Sequence, residues 1–224
     1  MNMKTILLAS FAMIVLLSVG CNCSGSGSGS GSVGSNSGST SFNSLKIGDP
    51  PPTPIGQNVD LVALAARKGG RLDQACTLIT DEDMALALGK VKEEIVLNNA
   101  LTEDDPYHTA CFYKWEDPEL FNAGMFIQLM SNPYDDELPT FVSQFVAQKR
   151  TNGERDVEGM STVFRQLSGW GDDASYSAET AKYFWRLGEE VAFSIAFNTT
   201  HTQEEQYQIA THLATMLTDN YLNN

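Results

Sequence analysis

The amino-acid sequence predicts an α+β domain in which helices pack on a largely antiparallel, curved sheet. Segments with a period of two, typical of half-buried strands, alternate with segments whose apolar residues recur at helical spacing. Most predicted strands follow one another through short connections, which favour antiparallel pairing. About 165 residues follow the N-terminal segments, enough for one domain with its own core.

In the first half of this domain we expect two helices and then three strands. Thr80 is a good helix N-cap with Asp83 three residues later, and Gly89 is a typical stop signal. Asp81 to Asp83 are interpreted as first-turn acids that favour the helix dipole rather than as a metal cluster. The predicted elements are helices Val59–Lys68 and Thr80–Leu88 and strands Val91–Asn98, Thr109–Trp115 and Ala123–Met130.

The second half of the domain is expected to hold a helix, several strands and a last helix. Apolar residues from Leu138 to Val146 recur at helical spacing, which predicts a helix over Tyr134–Lys149 with Asp135, Asp136 and Glu137 in its first turn. Thr202 and Glu205 form the capping box of the last helix. The strands are predicted at Met160–Leu167, just after the Gly169–Tyr176 turn, and in a hairpin of Lys182–Leu187 and Glu190–Phe197 around Gly188-Glu189.

Residues 1–20 have the pattern of a secretory signal. Lys4 is followed by an apolar run from Ile6 to Val19, and a small residue ends the segment. This run is too short to cross a hydrocarbon core of about 30 Å comfortably, which disfavours the alternative of a stop-transfer anchor.

The end of this signal resembles a bacterial lipobox, reading Leu17-Ser18-Val19-Gly20-Cys21, with Ser18 where the pattern usually has Leu. The resemblance implies cleavage after Gly20 and attachment of fatty chains, such as palmitate, to Cys21. More than one chain anchors a protein stably to a membrane. Asn22, in place of the Asp that often retains lipoproteins in the inner membrane, favours the outer membrane.

Residues 21–57 are interpreted as the lipid attachment site followed by a linker, and residues 58–224 as a single domain. Glycine and serine dominate from Ser24 to Ser44, a composition that cannot build a core. A flexible coil of this length spans roughly 25 Å. The proline-rich stretch Gly48–Pro54 that follows favours extended backbone.

The four cysteines and the net charge limit the possible functions. Cys76 and Cys111 are the only cysteines of the domain, and an exported protein meets an oxidising compartment, so we expect them to form a disulfide. Cys23 has no assigned role and is free, paired with another chain, or a decoy beside Cys21. The formal net charge of −14 argues against nucleic acid as a partner and against direct adhesion to anionic lipid. It is compatible with solubility, which is the favoured explanation, with salt-rich surroundings or with a basic partner.

Several short motifs are similar to those of a family of small bacterial envelope lipoproteins of unknown function. They are Ala75-Cys76-Thr-Leu-Ile-Thr80 with Ala87-Leu-Gly89, Cys111 with Trp115, the turn Gly169-Trp-Gly-Asp-Asp-Ala174 and a C-terminal amphipathic helix. The likeness covers about residues 72 to 222. It implies a fold like the PsbP-type α/β/α sandwich, and it implies no catalytic residues.

The turn around Trp170 is the most site-like feature of the domain. Asp172 and Asp173 would bind a cation or a ligand's hydroxyl groups, with Trp170 and Tyr176 as walls. The alternative, which is favoured, is a tight turn whose acids are solvated and whose Trp170 closes the core. Glu103 to Asp105 and the acids around Asp136 are interpreted as solvated patches. The three histidines, His108, His201 and His212, lie in no recognisable signature, and we expect no metal or cofactor.

These observations favour a lipid-anchored, non-enzymatic binding or accessory domain of the bacterial cell envelope. Its expected partners are the membrane, through the lipid anchor, and an envelope protein. The alternatives are an envelope hydrolase or transferase with a site of scattered acids, and a structural spacer.

Overall fold

The computed structural model describes most of the predicted domain. The described residues are 46–56, 59–60, 64, 75–99, 105–134, 136–155 and 159–223. The predicted signal, Cys21, Cys23 and the glycine-serine segment lie outside them, as does most of the predicted helix Val59–Lys68.

A seven-stranded antiparallel sheet with helices packed on it forms the described fold, which confirms the predicted class. The strand order is β1-β2-β3-β9-β8-β7-β6, and β4 and β5 form a separate pair. The strands are β1 (Val96–Asn99), β2 (His108–Lys114), β3 (Gly124–Ser131), β4 (Glu154–Arg155), β5 (Ser161–Thr162), β6 (Arg165–Gln166), β7 (Asp173–Ser177), β8 (Lys182–Leu187) and β9 (Val191–Asn198).

Helix α1 (Asp81–Leu88) has the caps that the sequence predicts. The Thr80 hydroxyl oxygen accepts a hydrogen bond from the Asp83 N–H at 3.1 Å, and Gly89 adopts a φ of +64° at the C-cap. The chain just before α1 is fixed from two sides, because the Tyr113 hydroxyl donates to the Ile79 carbonyl and the Asn220 amide donates to the Leu78 carbonyl. Helix α1 therefore has a defined position beside the sheet and the last helix.

Helix α2 (Phe141–Asn152) begins later than predicted. Pro139 disfavours helical backbone at Leu138, so the helix starts only after Thr140. Asp136 and Glu137 therefore precede the helix instead of occupying its first turn, and Asp135 lies outside the described residues. The expected apolar face is present in Phe141, Val142, Phe145 and Val146.

Helix α3 (Gln203–Asn223) begins with the predicted capping box. The Thr202 N–H donates to the Glu205 carboxylate at 2.8 Å, and the Glu205 N–H donates to the Thr202 hydroxyl oxygen at 3.3 Å. Its buried stripe, which includes Tyr207, Leu213 and Leu217, packs on the sheet.

Several predicted boundaries are wrong in addition to the start of α2. Residues Lys92–Glu94 form a 3-10 turn rather than the start of a strand, because all three charged side chains stay exposed and the Glu94 carboxylate accepts from the Val91 N–H. The strand predicted over Met160–Leu167 is split into β5, which pairs with β4, and β6, which pairs with β7 in the large sheet. The β8–β9 loop has three residues rather than two, because Leu187 pairs with Val191.

The two faces of the sheet build two apolar cores. The larger core lies on the face that α1 and α3 cover, where β9 contributes Val191, Phe193, Ile195 and Phe197. On the opposite face Ala192 contacts Val142 and Val146 of α2, which packs over β7, β8 and β9. The small residues on this side of β9 thus allow the close approach of α2.

Candidate functional site

The Trp170 turn connects β6 to β7 and is held on both sides. The Ile55 N–H donates to the Gly169 carbonyl and the Gly171 N–H donates to the Ile55 carbonyl, at 2.7 and 2.8 Å. Gly171 has a φ of +53°, and a Cβ there would lie 2.2 Å from the Arg186 carbonyl oxygen. Only glycine therefore fits between the proline-rich segment and β8 without distortion.

The aromatic residues of the turn belong to the core. Trp170 and Tyr176 are 1% and 7% exposed, and both stack on Tyr183, with ring centroids 5.8 and 6.2 Å away. Burial, together with the neighbouring tyrosines, raises the pKa of Tyr183, so this hydroxyl stays protonated at neutral pH. Trp170 and Tyr176, the two predicted walls, therefore both pack on the Tyr183 ring, and no open cleft separates them.

The two acids of the turn already have partners. The Asp172 carboxylate accepts a hydrogen bond from the Gly188 N–H at 2.6 Å, which links the turn to the β8–β9 loop. The Asp173 carboxylate makes a two-pronged ion pair with the Arg150 guanidinium at 2.8 and 2.7 Å. Binding of a ligand at this turn remains a prediction, and such a ligand would have to compete with both contacts.

An ionic cluster that sequence reasoning missed lies at the C-terminal end of α2. Glu154 accepts from Lys149 and from Lys182, each at 2.6 Å, and the Lys149 ammonium lies over the rings of Phe145 and Phe184 at 4.5 and 4.7 Å. Burial opposes ionisation of Glu154, but the two ammonium groups outweigh it and lower the pKa of this carboxyl.

The sequence signal for this cluster is weak. Lys149 and Arg150 stand in the last turn of α2, where cations suit the helix dipole. Their acidic partners, Glu154 and Asp173, lie on other elements, and Glu154 also pairs with Lys182, which is 28 positions away. No local pattern connects these residues. Each of these charged groups has an ion-pair partner in the cluster, and the pairs link α2 to β4 and β7.

The predicted disulfide is confirmed. Cys76, in the 3-10 turn Ala75–Thr77, and Cys111 of β2 are bonded, with a Cα–Cα distance of 5.1 Å. Cys111 is fully buried. The Ala75 N–H also donates to the Thr109 hydroxyl at 3.0 Å, so the segment before α1 is fixed against β2 by a covalent bond and a hydrogen bond.

The histidines are not brought together. His108 pairs with Gln128, whose amide oxygen accepts from Ser194 at 3.3 Å, while His201 pairs with Thr199 and His212 lies on α3. Burial lowers the pKa of His108, with Asp105 opposing the shift. Within the described ranges, no three or more His, Cys, Asp or Glu side chains are grouped closely enough to hold a metal ion.

Two further observations complete the description of the chain. Among the residues described above, no helix has both the length and the apolar character needed to cross a membrane. Comparisons of the chain with protein-family models, with curated proteins and with solved structures give no match in any of the three.

Proposed function

We propose that this chain is a lipid-anchored lipoprotein of a bacterial cell envelope, whose α+β domain is a non-enzymatic binding or accessory domain. The proposal includes anchoring through Cys21, with the outer membrane favoured over the inner one, and a tether between residues 21 and 57. It also includes the likeness to the family of small envelope lipoproteins with a PsbP-like fold.

The disulfide between Cys76 and Cys111 is the observation that supports export most directly. Structural disulfides persist in oxidising compartments and are rare in the cytosol. A secretory signal with a lipobox-like end supplies a route to such a compartment. The two features are independent, since one comes from the start of the chain and the other from the folded domain.

The contacts of Asp172 and Asp173, the most site-like residues, favour a binding role over catalysis. The Asp172 carboxylate accepts a hydrogen bond from the Gly188 N–H through one oxygen, and the Asp173 carboxylate is paired with Arg150. Both acids stabilise the connection between the turn, the hairpin and α2. Their contacts are those of structural residues, whereas a general acid or base needs access to a substrate.

Intact-mass analysis of the full chain, expressed in a Gram-negative host, tests this proposal. We expect loss of residues 1–20, added mass from acyl chains, and a loss of two protons from the disulfide. Cys21→Ser should abolish acylation and release the protein from membranes, whereas the matched variant Cys23→Ser should leave both unchanged. An unmodified N-terminus in the wild type, or acylation that persists in Cys21→Ser, would contradict the proposal.

A further inference from the structure

The sheet face that carries α2 is only partly covered by described helices. Helix α2 packs over β7, β8 and β9, while α1 and α3 lie on the other face. The outward side chains of β2 and β3 remain beside α2 without a described helix above them, except Met130, which packs against the core under α2. This region, here called the open face, consists of His108, Ala110, Phe112, Lys114, Phe126, Gln128, Ser194 and Ala196, of which Ala110 and Ser194 are buried.

The open face is aromatic and carries no carboxylate. Phe112, Phe126 and Ala196 are direct neighbours in one row across three strands, and all three are half-buried. Strands β2, β3 and β9 contain no Asp or Glu, although the chain has 28 acidic residues. Apolar side chains can be covered here without desolvating a negative charge.

Acids lie beyond both ends of β2, although Lys114 at the end of the strand adds one positive charge to the open face. Exposed Asp105 precedes the strand, and the β2–β3 loop that follows it contains Glu116, Asp117 and Glu119. A partner with an apolar middle and basic ends would match this distribution of charge.

An exposed aromatic side chain stands at the loop end of the same hairpin. Phe121 is 88% exposed, more than any other large hydrophobic residue within the described ranges. Its position is defined, because the Asn198 amide donates to the carbonyls of Phe121 and Asn122 at 3.4 and 2.8 Å. A well-positioned aromatic residue in water is a typical anchor of a protein interface.

The dimensions of the open face favour a helix over a second copy of the chain. Three strands of seven or eight residues at about 4.8 Å spacing have a flat footprint of about 14 by 25 Å, or roughly 350 Å². A stable dimer buries about 800 Å² on each partner. A helix with a diameter of about 10 Å and about 18 residues covers this area and would lie beside α2.

We propose that the open face binds an amphipathic helix of a partner protein, with its apolar stripe on Phe112 and Phe126 and basic residues at each end. This inference rests on the proposed function, because it names the kind of partner that the binding domain takes. The two hypotheses can be tested separately, because mass spectrometry measures acylation and a peptide-binding assay measures docking.

The test uses the full chain in phosphatidylcholine nanodiscs, with empty discs as the blank. The probe is a labelled amphipathic peptide of about 18 residues, with leucines on one face, glutamines on the other and two lysines at each end. A second peptide has glutamates at the ends. Fluorescence anisotropy should give a dissociation constant at least about tenfold lower for the lysine-ended peptide, because the flanking acids attract it.

Variants locate the binding on the open face. Ala196→Gln places a longer side chain on the open face, where it would obstruct the peptide. Phe121→Ala removes the exposed aromatic anchor. Each variant should weaken peptide binding by about tenfold or more. Leu86→Ala is the matched control, because Leu86 is 68% exposed on α1, away from this face. Thermal unfolding checks that each variant is folded.

Three outcomes would overturn the inference. The first is no saturable binding of the lysine-ended peptide, and the second is binding that folded Ala196→Gln leaves unchanged. The third is a concentration-dependent dimer in the wild type that Ala196→Gln abolishes, which would assign the face to a second copy. None of these outcomes would alter the mass of the anchored protein, so the proposed lipid attachment would stand or fall separately.

Discussion

Removing the disulfide should lower the free energy of unfolding by about 3–4 kcal/mol. The bond joins residues with a sequence separation of 35, so it closes a loop of 36 residues when both ends are counted. For such a loop the chain-entropy model gives about 13 cal/mol/K, which is about 3.8 kcal/mol at 25 °C. The double variant Cys76→Ala with Cys111→Ala avoids a lone thiol in the core.

Urea unfolding followed by tryptophan fluorescence measures this difference, because Trp170 and Trp185 are buried and report on the core. Wild type in reductant provides a second measurement in which both sulfur atoms remain. Cys23→Ser is the control and should unfold like the wild type. A loss below about 1 kcal/mol in both the double variant and the reduced protein would refute the reasoning, since it would mean that the bond hardly restricts the unfolded chain.

The remaining predictions concern caps, turns and charge. Thr80→Ala should cost about 1 kcal/mol in thermal or urea unfolding, and more than Thr140→Ala, whose hydroxyl makes no capping bond to the backbone. Gly171→Ala should cost at least about 1 kcal/mol more than Gly89→Ala; both have positive φ, but only at Gly171 does the new Cβ meet a carbonyl. Glu154 has a lowered pKa, so it contributes stability above its unfolded pKa of 4.5, and this contribution is lost as the pH falls through the lower folded value. Unfolding titrations from pH 6 to about pH 3 should show a smaller acid loss in Glu154→Gln than in wild type; equal losses would contradict the assignment.

Local chemistry made much of the fold predictable. Thr80 and Gly89 mark the ends of α1, and Thr202 with Glu205 marks the start of α3, because caps satisfy backbone groups within a few residues. The alternation in β9 also predicts its two faces, since successive side chains of a strand point to opposite sides. The difference at α2 is local too: the apolar spacing from Leu138 predicts a helix whose start Pro139 delays.

The turn at residues 169–174 shows what local sequence patterns cannot predict, which is the contacts of its two acids with distant residues. The glycines and acids of residues 169–174 predict a turn with two carboxylates, and this is what the structure contains. The partners of those carboxylates, Gly188 and Arg150, come from a later loop and an earlier helix. No spacing rule relates these positions. From the sequence alone the two acids are therefore compatible with a binding site, whereas in the fold they hold the turn to a loop and a helix.

The sequence by itself determined the class of the domain, most of its elements and the pairing of Cys76 with Cys111, because caps and alternation act over a few residues and only two cysteines were available. The tertiary structure decided that β9 pairs with β3, which joins the C-terminal hairpin to the N-terminal one. It also decided that α2 covers only part of one face and leaves Phe112 and Phe126 beside it. These features depend on contacts between residues far apart in the chain. Such contacts contribute to the stability of the fold only after the chain between them has been ordered, so no local pattern predicts them.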